Sequence, residues 1–106
     1  MAAEAIAAVY AVFGSDEEAR RIGRAMVEQR LAACVNVLGP CHSIYRWQGA
    51  IEDAEEVAAL FKTRTDAAEA LMAAIRAAHS YEIPAIVTLP IGRADSAYRD
   101  WIIAQT

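Results

Sequence analysis

Residues 32–48, AACVNVLGPCHSIYRWQ, read as a strand too long for the domain that must hold it. If most of the stretch is one strand, at about 3.3 Å per residue it would reach roughly 50 Å, whereas a compact chain of this size has a radius of gyration of about 13 Å. Cys34, Val35 and Val37 carry strand character up to Gly39-Pro40, a pair that removes a backbone donor and permits a bend. Strand two is therefore expected to bend there. Because side chains alternate along a strand, Ile44, Arg46 and Gln48 should face one way and Tyr45 and Trp47 the other.

Upstream, residues 6–13 form an apolar run of strand length closed by Gly14. Ser15 followed three residues later by Glu18 is a capping-box pattern, and Ala19, Ile22, Met26 and Val27 place an apolar stripe on a first helix running to about Arg30. Downstream, Gly49-Ala50 is expected to turn the chain, and residues 51–63 return as strand three. Its acidic start (Glu52, Asp53, Glu55, Glu56) should be exposed, and 57–61 should re-enter the core. Asp66 and Glu69 open a second helix with Ala68, Leu71, Ile75 and Ala78 at helical spacing, ending near His79-Ser80. Pro84 begins a last strand, AIVTLPI, which Pro90 and Gly92 close, and a short helix from about Ser96 presents Tyr98, Trp101 and Ile102 on one side.

The order strand, helix, strand, strand, helix, strand, plus a terminal helix, predicts an α+β, ferredoxin-like (βαββαβ) fold with an antiparallel sheet and the helices on one face. Strand two lies at an edge of such a sheet. A long apolar edge pairs with foreign strands unless something covers it, and the simplest cover is a second copy of the same chain.

Composition supports one domain over residues 1–106. Hydrophobic residues make up 57% of the chain, but 25 of them are alanine, so large side chains for a monomeric core are few. The net charge of -4 argues against a nucleic-acid surface, which depends on clustered Lys and Arg. Cys34 and Cys41 do not form a disulfide framework, and a reducing interior suits them. The opening MAAEAIAAVYAVFGS lacks a basic leader, carries Glu4 and is too short to cross a bilayer, so it reads as a buried strand in a cytoplasmic protein without a membrane partner.

Five strings, RLAACVNVL, SIYRWQG, FKTR, HSYEIP and YRDWI, stand in an order and spacing that resemble the CutA family of divalent-cation-tolerance proteins. The resemblance spans nearly the whole chain. It implies a ferredoxin-like subunit in a homotrimer, in which long strands of neighbours pair edge to edge. It further implies a cleft where subunits meet, lined by His79, Tyr81, Glu82, Lys62, Thr63 and the hairpin aromatics. Two positions depart from the pattern: Ser80 stands where many relatives carry Pro, and Gln48 where many carry Glu.

The family name directs attention to copper or another divalent cation as cofactor. Cys34, Cys41, His42 and His79 are suitable ligand types, with Cys34 and His79 the candidate metal residues. Their spacing matches no single-chain metal motif, and Cys34 also fits as a small buried residue. His79 could orient a ligand or hold a proton beside Glu82, or simply cap a helix end. The candidate ligand-binding residues are Lys62, Tyr81, Glu82, Tyr45, Trp47 and Trp101, although interface packing is the commoner fate of such aromatics. No nucleophile elbow, Walker loop or dinucleotide fingerprint occurs. The leading expectation is a non-catalytic trimer that binds metal or a small ligand in its clefts and so contributes to metal tolerance or signals to a partner. The alternative is an enzyme using His79 and Glu82 as acid or base, with Lys62 or Arg64 holding an anion.

Overall fold

The computed structural model describes residues 5–106. Glu4 and the rest of residues 1–4, part of the stretch weighed above as a membrane segment, lie outside the described residues. In chain order the elements are β1 (Ile6–Phe13), α1 (Asp16–Glu28), β2 (Cys34–Trp47), β3 (Ala50–Arg64), α2 (Ala68–Ala78), β4 (Ile86–Pro90) and α3 (Ser96–Gln105). All strand pairings are antiparallel and the sheet order is β2-β3-β1-β4, which leaves β2 and β4 as edges.

Helix α1 starts where the sequence pattern places it. The Ser15 hydroxyl accepts from the Glu18 N–H at 3.1 Å, and three acidic residues in the first turn suit the positive end of the helix dipole. Its buried stripe of Ala19, Ile22 and Met26 meets Leu71 and Ile75 of α2 on one face of the sheet. That face displays Val9, Ala11 and Phe13 of β1 and Val57, Ala59 and Phe61 of β3, the alternate residues that a period of two selects. Phe13 and Phe61 sit with ring centroids 6.4 Å apart. Phe13, Phe61, Ile22, Leu71 and Ile75 are fully buried, and each contributes about 1.5–3 kcal/mol by leaving water.

Not all helices share that face. Cys34, Lys62 and Ala8 form one cross-strand row on the opposite side of the sheet, and there the Tyr98 hydroxyl of α3 stands 3.4 Å from the Cys34 sulfur. Ile102 of α3 packs with Ile6 and Ala33 in a small second core. The short helix thus closes the apolar end that α1 and α2 leave open.

Strand β2 runs unbroken for 14 residues, and the bend expected at Gly39-Pro40 takes the form of a bulge within it. The register shifts between Val37 and Gly39, with Leu38 as the extra residue and Gly39 at φ +100°. A bulge of this kind re-aims a strand without ending its ladder. The turn falls one residue earlier than expected: Trp47 pairs with Ala50, and Gln48 and Gly49 occupy it with φ of 51° and 85°. Two positive φ values identify a type I′ turn, whose twist matches that of the flanking strands. The last strand begins at Ile86 rather than Pro84, leaving residues 79–85 as a loop tied to β1 by the Val12 N–H donating to the Ala85 carbonyl at 3.2 Å.

These registers fix the outline of the molecule. Because β1 ends at Phe13 opposite Val57, residues 50–56 of β3 are paired by β2 alone. The hairpin therefore projects about 23 Å beyond the four-stranded body at ~3.3 Å per residue. The chain measures 44 × 29 × 21 Å, and its long axis reflects that projection. Among the described residues no helix is long and apolar enough to cross a membrane.

Candidate ligand-binding cleft

The cleft lies where the projecting hairpin leaves the body. Residues 79–85 cross from the end of α2 toward β4, and Val12, Ser43, Tyr45, Trp47, Glu56, Tyr81, Glu82, Ile83 and Ala85 enclose a cavity of about 550 Å³ between loop and hairpin. This falls within the ~300–1,000 Å³ of typical small-molecule sites. Cys41, Ser43, Tyr45 and Trp47 pair across the ladder with Glu56, Ala54, Glu52 and Ala50, so all of these point to one face, while Ile44 and Arg46 point to the other.

Three hydrogen-bonded groups hold the loop. His79 caps α2 with its side chain fully buried, and its ring stacks on Phe13 at 4.9 Å and 12°. The Tyr81 N–H donates to Nδ1 at 3.0 Å, which leaves the ring proton on Nε2 to donate to the Val12 carbonyl at 2.7 Å. Glu18 is 5% exposed and accepts at one oxygen from the Ser80 N–H (2.8 Å) and at the other from the Gly14 N–H (3.3 Å). Burial pushes its carboxyl up, but the bonds from Ser80 and Gly14 outweigh that and hold it below the ordinary carboxylate range. The Tyr81 hydroxyl donates to Glu56 at 2.7 Å; burial, and then the Glu56 carboxylate, push the phenol up, so it stays a protonated donor. Gly14 leaves room for this ring, since a Cβ there would stand 3.1 Å from the Tyr81 hydroxyl.

The family description "CutA1 divalent ion tolerance protein" matches residues 7–105 of this fold. The chain belongs to the CutA1 family. It is 46% identical over 92 residues to the divalent-cation tolerance protein CutA of Thermus thermophilus, covering 87% of this chain and 89% of that protein. It is 43% identical over 88 residues to the CutA homolog of Danio rerio, covering 83% of this chain but 59% of that longer one. The solved divalent cation tolerance protein (Cut A1) from Thermus thermophilus superposes with a TM-score of 0.91 at 42% identity, covering 95% of this chain and 98% of that one. Both Thermus thermophilus proteins are named for divalent-cation tolerance.

In this CutA1 chain the residues singled out from the sequence separate into two groups. Tyr45, Trp47, Tyr81 and Glu82 line the cavity. Lys62 does not: its Nζ donates to Asn36 near the opposite end of the sheet. Trp101 stacks on Tyr98 with centroids 5.9 Å apart beside Cys34, and the bond to Cys34, with burial, pushes Tyr98 up to about 12. Arg64 pairs with Asp66 at 2.7 Å. The alternative in which His79 and Glu82 work beside Lys62 or Arg64 is therefore not assembled within the single chain.

The metal candidates are also apart. Cys34 stands in the Ala8 row, while His79 bonds Val12, about 13 Å further along β1 at ~3.3 Å per residue. Both ring nitrogens of His79 are committed, and both oxygens of Glu18 serve backbone donors. Among the described residues no group of three or more His, Cys, Asp or Glu side chains converges on a point. Among the described residues of the chain the donor set does not fit a copper or zinc ion. Sequence reasoning missed Glu18 and Glu56. The first looked like an ordinary capping-box acid, and the second like one of four exposed acids on the hairpin.

Proposed function

We propose that this chain is a non-catalytic protein, assembled as a homotrimer of ferredoxin-like subunits, that contributes to divalent-cation tolerance, copper included, by taking a small ligand into the hairpin cleft. The observation that carries the reading is the projecting hairpin with a cavity at its root. Ile44 and Ile51 on the hairpin are 71% and 60% exposed, and Leu38 at the bulge is 60% exposed. Covering each such side chain gains about 1.5–3 kcal/mol, and β2 offers an unpaired backbone edge along the same stretch. Further copies of the chain answer both demands, and a neighbour beside the hairpin deepens the cleft. The geometry favours a small molecule over a bare ion because the best ligand nitrogens and oxygens already serve the loop.

The test is native mass spectrometry of the untagged protein, together with its Ile44→Lys variant. A three-chain particle at low micromolar concentration, carrying retained small-molecule mass and broken to single chains in the variant, is the expected result. Wild-type protein that remains monomeric and folded would refute the assembly, and a trimer without retained small-molecule mass would count against the ligand.

A further inference from the structure

The lining of the cleft identifies a class of ligand. Its walls are Tyr45, Trp47 and Tyr81 with Val12, Ile83 and Ala85, and its charged groups are Glu56 and Glu82. Glu52 pairs directly with Tyr45 and adds a third carboxylate to the same face. Among the described residues no lysine or arginine lines the cavity. Arg46 pairs with Ile51 on the other face, and Lys62 is engaged by Asn36. An anion would thus meet carboxylates without a counter-charge. A small metal ion would find aromatic rings where it needs several converging oxygens. Aromatic faces and carboxylates share one preference: a diffuse positive charge carried on an apolar body. Glu56 is suited to that role, because Tyr81 takes one of its oxygens and fixes the carboxylate's position at the edge of the aromatic walls.

We propose that the cleft binds an organic ammonium cation, a nitrogen bearing methyl or other alkyl groups, with Tyr45, Trp47 and Tyr81 as walls and Glu56 and Glu82 as counter-charge. The proposal rests on the reading of this cleft as a ligand site and adds the chemistry of the occupant. No bond is made or broken: the ligand exchanges its water for ring faces and keeps its charge.

The experiment is isothermal titration of the assembled full-length protein with choline chloride and, separately, with 3,3-dimethylbutan-1-ol, which has the same shape without the charge. Choline is expected to bind saturably and at least ~10-fold more tightly than the alcohol, the order expected when a desolvated cation meets ring faces. Glu56→Gln and the exposed Tyr45→Leu should each weaken choline and leave the alcohol unchanged, with thermal melts as the control for folding. Equal affinity for the two probes would overturn the proposal. So would an absence of choline binding, and the neutral dye Nile red separates the two failures. Dye binding that Trp47→Ala abolishes leaves the cleft standing as an apolar site, whereas no dye binding removes the cleft as well.

Discussion

Replacing Glu18 by Gln tests how the cleft loop is held. In the native protein one carboxylate, 5% exposed, joins the start of α1 to the loop after α2 through the Gly14 and Ser80 N–H groups. Hydrogen bonds to a charged acceptor are worth about 1.5–3 kcal/mol each. An amide presents only one acceptor oxygen and turns its NH₂ toward the other donor. Glu18→Gln should therefore cost about 2–3 kcal/mol at pH 7, one charge-assisted bond plus the strain of facing donors. The sign with pH follows from the depressed carboxyl. Its contribution is fully present above the unfolded value of 4.5 and is lost as pH falls through the lower folded value. The gap between wild type and variant should thus be widest at pH 6–7 and close as the solution is acidified well below pH ~4. Guanidinium chloride unfolding at fixed protein concentration measures it, because the proposed assembly would make apparent stability concentration-dependent. Equal midpoints at pH 7, or a gap that persists undiminished at pH ~3, would show that the carboxylate does not tie the loop.

Two further substitutions probe the fold that positions the cleft. Gly23 lies under β2, where a Cβ would come within 2.9 Å of Val35 Cγ1, a stiff β-branched neighbour. Gly23→Ala should lower the melting temperature, since overpacking at ~1–3 kcal/mol exceeds the ~1 kcal/mol that alanine gains in a helix; an unchanged or higher value would contradict the packing. Gln48→Asn should stabilise the hairpin by ~0.5–1 kcal/mol, because Asn-Gly tolerates the left-handed backbone that Gln48 adopts at φ 51° better than Gln-Gly does. A melt unmoved by that exchange would mean the turn contributes nothing to cooperative unfolding.

The strands and helices were legible wherever side-chain period alone decides them. Alternation through 34–47 gave both the strand and the faces of Tyr45 and Trp47, and the Ser15–Glu18 pattern placed the start of α1. Gly39 announced an irregularity but not its kind, because glycine permits a bend and a bulge equally, and only the pairing with Ala58 distinguishes them. The cleft was half legible. Its aromatic wall is local to the hairpin, but the Glu18 bond to Ser80 spans 62 residues and the Tyr81 bond to Glu56 spans 25. Such partners meet only after the chain has folded. The same distance argument separated Cys34 from His79, two good ligand types that residue identity alone could not place.

The two-residue turn at the hairpin tip constrains how this arm can vary in length. Inserting one residue into each strand would keep the pairs opposite but reverse which of them look toward the body, moving Tyr45 and Trp47 to the outer surface. Two residues per strand would restore the pattern while carrying the tip about 7 Å farther out. The arm can therefore lengthen or shorten only in whole dipeptide steps, independently of the α1–α2 core, like a telescoping rod with fixed stops.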